Sequence, residues 1–139
     1  MNFFVFTDGG ARGNPGPAAV GIFITNANGD EIAKIGKRIG FTTNNVAEYK
    51  AILEGLSWIT SNKEKLGDNP EVSFFLDSEL ACSQISGLYR VKNKNLQELL
   101  FKIRTKEKEL GIPISYQHIR RERNKTADKL VNLALDNKL

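Results

Sequence analysis

The chain of 139 residues has one cysteine, Cys82, and one histidine, His118. A single cysteine excludes an internal disulfide and a thiolate metal cage, and a single histidine excludes a histidine-rich zinc site. Any metal site must therefore be built from carboxylates. Long apolar runs are missing too. Near the N-terminus the run Phe3 to Phe6 is stopped by Thr7 and Asp8, too short for a signal-peptide core or a bilayer span. No membrane association is expected, and the default setting is the reducing cytoplasm. Repeats, low-complexity tracts and linkers are absent, so one domain over residues 1–139 is expected. With 40% hydrophobic and 26% charged residues, the composition excludes disordered and fibrous classes.

Charge is present but uneven. The net charge is +4, and residues 1–70 carry seven Lys/Arg against seven Asp/Glu, so the excess lies in residues 71–139. Two clusters hold it: Arg90, Lys92, Lys94, Lys102, Arg104 and Lys106, then Arg120, Arg121, Arg123, Lys125 and Lys129. Such clusters can neutralise phosphates, or simply solvate a helix face.

Eight of the twelve glycines fall in the first 40 residues, where strands and tight turns are expected. Residues 2–8 read as a buried strand and 19–27 as a second. Asn28-Gly29 is a hairpin signal leading into a third strand over Glu31 to Phe41. Tyr49, Ile52, Leu53, Leu56 and Ile59 then recur at helical spacing behind the potential caps Thr43, Asn44 and Asn45. Residues 71–77 form a fourth strand, and Ser78 caps a short helix to about Ser86. Asn95 with Glu98 reads as a capping box for the next helix. Residues 114–119 are a fifth strand, and Asn124 caps a last helix with inner face Ala127, Leu130, Val131 and Ala134. Three antiparallel strands followed by alternating helix and strand imply an α/β fold with a mixed sheet flanked by helices.

Four acids fall where chemistry can gather. Asp8 and Asp77 end apolar strands, and Glu48 and Asp128 lie near helix starts bordering apolar stripes. Converging carboxylates repel unless cations join them, and hard divalent ions such as Mg²⁺ or Mn²⁺ suit oxygen donors. Two such ions can assist an in-line phosphoryl displacement. Taken singly, each acid is equally a surface or helix-terminus charge.

The strings around these acids go further. TDGGARGNPGPA at 7–18, TTNNVAEYKAILEGL at 42–56, DSELACSQISGLYRVKN at 77–93 and HIRRERNKTADKLVNLA at 118–134 resemble, in order, the motifs of type 1 ribonuclease H. The resemblance implies the ribonuclease H-like fold, with a five-stranded mixed sheet flanked by helices. It implies hydrolysis of the RNA strand of an RNA–DNA hybrid to 3′-hydroxyl and 5′-phosphate ends, by a monomer using two Mg²⁺ ions, with Mn²⁺ as substitute. Asp8, Glu48, Asp77 and Asp128 match the metal-binding acids. Asp8 is expected to be shared between the ions, with Glu48 and Asp77 completing one site and Asp128 the other. His118 matches a catalytic-loop histidine. Gly9, Gly10, Asn14, Asn44 and Asn45 are expected on the minor groove of the hybrid, and Thr43 on a DNA phosphate. The small glycines would let backbone amides approach the sugar-phosphate chain.

Two departures stand out. Residues 87–93 pass almost directly to the next helix, so the basic, tryptophan-bearing protrusion of several relatives is missing. Arg90, Lys92, Lys94, Arg120, Arg121 and Arg123 are candidates to replace its contacts. Glu79 places an acid near the expected phosphate path. The first motif begins at Thr7, so no hybrid-binding module is expected before it. Two other readings stay open: the same fold cleaving double-stranded RNA, and a non-catalytic nucleic-acid-binding module. The second would be expected if an acid were replaced; all four are present.

Overall fold

The structure, a computed structural model, describes residues 2–139. Five strands form one sheet: β1 (Asn2–Ala11), β2 (Gly16–Asn26), β3 (Glu31–Thr42), β4 (Glu71–Leu76) and β5 (Ile114–His118). Their order is β3-β2-β1-β4-β5. The first three pair antiparallel, while β1–β4 and β4–β5 are parallel, as the expected mixed sheet requires. The described residues also form four helices, α1 (Asn44–Ser61), α2 (Glu79–Ile85), α3 (Lys94–Leu110) and α4 (Lys125–Leu135), with short 3₁₀ turns at Lys63–Lys65 and Arg121–Arg123.

Strand alternation sorts the sheet into two unlike faces. Phe3 and Val5 of β1, Ile22 and Ile24 of β2 and Phe74 of β4 are fully buried against Tyr49, Ile52, Leu56 and Ile59 of α1 and Ile103 of α3. This is the main core. The other face carries α4 over β2 and β3, where Ala19 packs with Val131 and Ala134. Small residues make that approach possible: a Cβ on Gly21 would lie 2.2 Å from the Ala127 carbonyl oxygen. Beyond α4 this face is a half-buried aromatic ladder, with Phe6 stacked on Phe75 at 4.9 Å and Phe4 edge-on to Phe75 at 5.4 Å. Residues 2–8 are thus buried on one side only, because the second face has just one helix.

The helix starts are set locally. Thr43 caps α1, its hydroxyl accepting from Val46 N at 3.3 Å, and Ser78 caps α2 through Ala81 N at 3.1 Å. The cap of α3 is Asn93, accepting from Leu96 N at 3.1 Å, and not Asn95. Asn93 alone has the extended backbone a cap needs, whereas Asn95 already lies inside the helix. The hairpin at Asn28-Gly29 forms as expected, with Gly29 at φ 85°.

Candidate active site

Two strand ends begin the site. The β1–β4 register pairs Thr7 with Leu76, so Asp8 and Asp77 occupy the next rung. Asp8 is not at the end of its strand, since β1 continues through Ala11 in pairing with Ala18–Val20 of β2. Its carboxylate shares strand parity with Phe4 and Phe6, on the side where α4 lies. From there Asp128 arrives, in the first turn of α4. Glu48 arrives on α1, one turn beyond the Thr43 cap. Its approach depends on Gly9: a Cβ there would lie 2.3 Å from the backbone of Ala47 and 2.6 Å from Glu48 N. The missing side chain of Gly9 therefore makes room for α1 rather than for a ligand. Gly10, by contrast, has room for a side chain, since an added Cβ would meet only ordinary contacts with Val131 Cγ1 at 3.8 Å and Asn44 Oδ1 at 4.0 Å.

The four acids line one cavity of about 290 Å³, together with Gly9, Gly10, Asn44 and Arg121. Burial, followed by the charges of Asp77, Asp128 and Glu48, pushes the Asp8 carboxyl up to about 8. Burial likewise pushes Glu48 up to about 7, opposed by the Ser78 hydroxyl and the Arg121 guanidinium and aided by Asp77. The Oε2 atom of Glu48 is buried with no hydrogen-bond partner in the protein. No three acid, histidine or cysteine side chains among the described residues are already gathered tightly enough to hold a metal ion. The carboxylates share one cavity, and a hydrogen bond between the Asp8 and Asp128 side chains adds to the upward push on Asp8. An all-oxygen donor set with a buried, partnerless carboxylate oxygen fits a hard divalent cation.

Around the acids, polar side chains interlock. Asn44 Oδ1 accepts from Ala11 N at 2.8 Å, and Asn14 Oδ1 accepts from Asn44 N at 3.1 Å. This ties the β1–β2 loop to the start of α1 and commits both carbonyl oxygens, leaving the two –NH₂ groups as donors. Thr43 sits at the cap and Asn45 is exposed beside it.

Three residues differ from expectation. His118 does not reach the acidic cavity. It pairs in register with Leu76, which puts it on the opposite sheet parity from Asp77, and it is exposed beside Arg120, Glu122 and Arg123 in a separate pocket. Arg121 lines the acidic cavity instead. In the sequence it is one of three arginines within four residues, and only the 3₁₀ turn before α4 selects which turns inward. Asn124 stands at the N-cap position of α4, but its side chain makes no capping bond. Its Nδ2 donates to Thr7 O at 2.8 Å and to Asp77 Oδ2 at 2.9 Å. Arg90 and Lys92 are exposed between α2 and α3, and neither lines the cavity.

The sequence matches the family described as reverse transcriptase-like over residues 6–134. It is 36% identical over 137 residues to a bifunctional protein of Mycobacterium tuberculosis, an alignment covering 98% of this chain and 36% of that protein. It is 35% identical over 134 residues to ribonuclease HI of Halobacterium salinarum, covering 94% of this chain and 63% of that protein. The chain therefore spans 36% of the length of the curated relatives it matches first. Among solved structures, LC11-RNase H1, isolated from compost, superposes with a TM-score of 0.93 at 43% identity, covering 98% of this chain and 96% of that one. The same protein in complex with an RNA/DNA hybrid superposes with a TM-score of 0.91, covering 97% of each chain.

Proposed function

The chain belongs to the ribonuclease H family, in its compact type 1 form, and from that premise we propose that it is a divalent-metal-dependent endonuclease cleaving the RNA strand of RNA–DNA hybrids. The products carry a 3′-hydroxyl and a 5′-phosphate. The observation that carries this reading is the meeting of Asp8, Glu48, Asp77 and Asp128, from four separate elements, on one cavity.

Those four carboxylates would hold the metal ions. When bound, Mg²⁺ or Mn²⁺ supplies an acidified water at neutral pH and charge neutralisation on the departing 3′-oxygen. The protein's own groups do the rest. Arg121 faces the same cavity with a planar, permanently charged fork suited to the non-bridging oxygens of the scissile phosphate. The free –NH₂ groups of Asn14 and Asn44, with the backbone at Gly9 and Gly10, read the minor groove, where the ribose 2′-hydroxyl separates RNA from DNA. Asn45 joins them at the minor groove, and Thr43, at the N-terminus of α1, takes a phosphate of the DNA strand. Arg90 and Lys92 add charge along the duplex outside the cavity. His118, standing apart from the acids, serves product release. The enzyme acts as a monomer in the cytoplasm. Separately, no helix among the described residues is long and apolar enough to cross a membrane.

The test is cleavage of matched labelled RNA–DNA, RNA–RNA, DNA–DNA and single-stranded RNA in Mg²⁺ and in Mn²⁺. Cutting of RNA in the hybrid alone is the expected result. Cutting of RNA–RNA would widen the substrate class, and binding without cutting in either metal would overturn the enzymatic reading.

A further inference from the structure

We infer that Asn124 is a positioning residue that holds the carboxylates of the site in register, and not the helix cap its place in the sequence suggests. The inference rests on the metal-dependent reading above. Asn124 is 1% exposed and touches three of the acid-bearing segments at once. Its Nδ2 donates to Thr7 O, the carbonyl just before Asp8, at 2.8 Å. The same nitrogen donates to Asp77 Oδ2 at 2.9 Å. Its backbone carbonyl accepts from Asp128 N at 3.1 Å, closing the first turn of α4. One buried side chain thus fastens β1 to the residue after β4, and its own backbone starts the helix that delivers Asp128.

The chemistry excludes the simpler role. A capping side chain offers an oxygen to the amides of the first helical turn. Here both neighbours, a carbonyl and a carboxylate, are acceptors, so the amide must present its nitrogen. Its Oδ1 is left buried without a partner, an arrangement a cap would not adopt. A hydroxyl or a carboxylate at this position could not donate to both acceptors. By holding Oδ2 of Asp77, which lines the cavity, Asn124 restricts the rotation of that carboxylate.

The test uses the full chain and two variants, Asn124→Ala and Asn124→Asp, with steady-state cleavage of an RNA–DNA hybrid, calorimetric titration with Mn²⁺ alone, and thermal melting. A group that orients a metal-binding residue is worth about 10- to 100-fold in affinity or turnover. The expected result is a kcat about 10- to 100-fold lower in both variants, with KM for hybrid within about threefold, and Mn²⁺ affinity about tenfold weaker in Asn124→Ala. Asn124→Asp keeps the shape and loses the donor, so it decides the kinetic question if Asn124→Ala does not fold. Wild-type kcat and Mn²⁺ affinity in a folded variant, with only the melting temperature lowered, would overturn the inference. If the wild-type chain itself cuts no hybrid, the functional reading fails, and the Mn²⁺ titration still decides the role of Asn124.

Discussion

Two polar clusters lie at different edges of α2, and they are built on opposite rules. At one, Tyr116 of β5 donates to Glu107 at 2.5 Å, Arg104 pairs with Glu107 at 3.0 Å, and the Arg104 guanidinium also reaches the carbonyl of Ile85 at the end of α2. Opposite charges meet there and the donors find acceptors. Burial and the neighbouring Glu107 hold the Tyr116 hydroxyl far above its ordinary range, in the protonated form that donates. At the other edge four like charges share a cavity, Glu48 Oε2 and Asn124 Oδ1 are buried without partners, and two carboxyls are pushed towards neutrality. A polar cluster that only has to hold helices together satisfies itself. The acidic one is left incomplete in a way that a divalent cation would complete.

Breaking the acidic cluster should have the largest effect. Asp77→Asn keeps the shape and removes a metal-binding charge, so cleavage of hybrid should fall to background while circular dichroism and melting show a folded protein. Next comes Arg121→Ala, expected to lower kcat by about 10²-fold, as loss of a preorganised donor does. Arg121→Lys should recover only part of it, because an ammonium lacks the planar fork.

The same contrast sets the direction of the pH effects. Asp8 at about 8 and Glu48 at about 7 both lie above their ordinary values. Between about pH 4 and pH 8 the folded, metal-free protein therefore binds more protons than the unfolded chain. Their contribution to stability is greatest at the acidic end of that window and is lost as pH rises through it. In EDTA the melting temperature should fall from pH 5.5 to pH 8.5. Asp8→Asn should flatten that slope and stabilise the metal-free protein at pH 8 by on the order of 2 kcal/mol, read as a rise of several degrees.

The smallest effect belongs to the satisfied cluster. Glu107→Gln weakens a partly exposed ion pair and one part-buried hydrogen bond, and should cost about 1 kcal/mol in denaturant unfolding. Its kcat on hybrid should match the wild type. A large loss of turnover in Glu107→Gln, or none in Arg121→Ala, would erase the distinction between the two clusters.

The acids themselves were legible before the structure, because each lies in a string whose neighbours carry the same message, and the order of strands and helices followed from periodicity. Side-chain direction was less so. Asn124 stands at a helix start, where asparagine ordinarily caps. Only the approach of β1 and β4, through Thr7 and Asp77, shows why it turns away. Asn93 and Asn95 are alike on paper, and backbone conformation chooses between them. Gly9 suggested room for a ligand but makes room for α1, a contact between segments 38 residues apart that no local pattern records. His118 and Arg121 lie three residues apart, and the end of β5 followed by a 3₁₀ turn sends only the arginine into the cavity.

The central claim is that this cavity is an incomplete oxygen cage for divalent ions. It is tested most directly by melting the wild-type chain and Asp77→Asn at pH 8 across a Mg²⁺ or Mn²⁺ titration, with no nucleic acid present. The account predicts that the ions raise the melting temperature of the wild type in a saturable way and leave Asp77→Asn nearly unmoved. Equal shifts in the two proteins, or none in either, would contradict it.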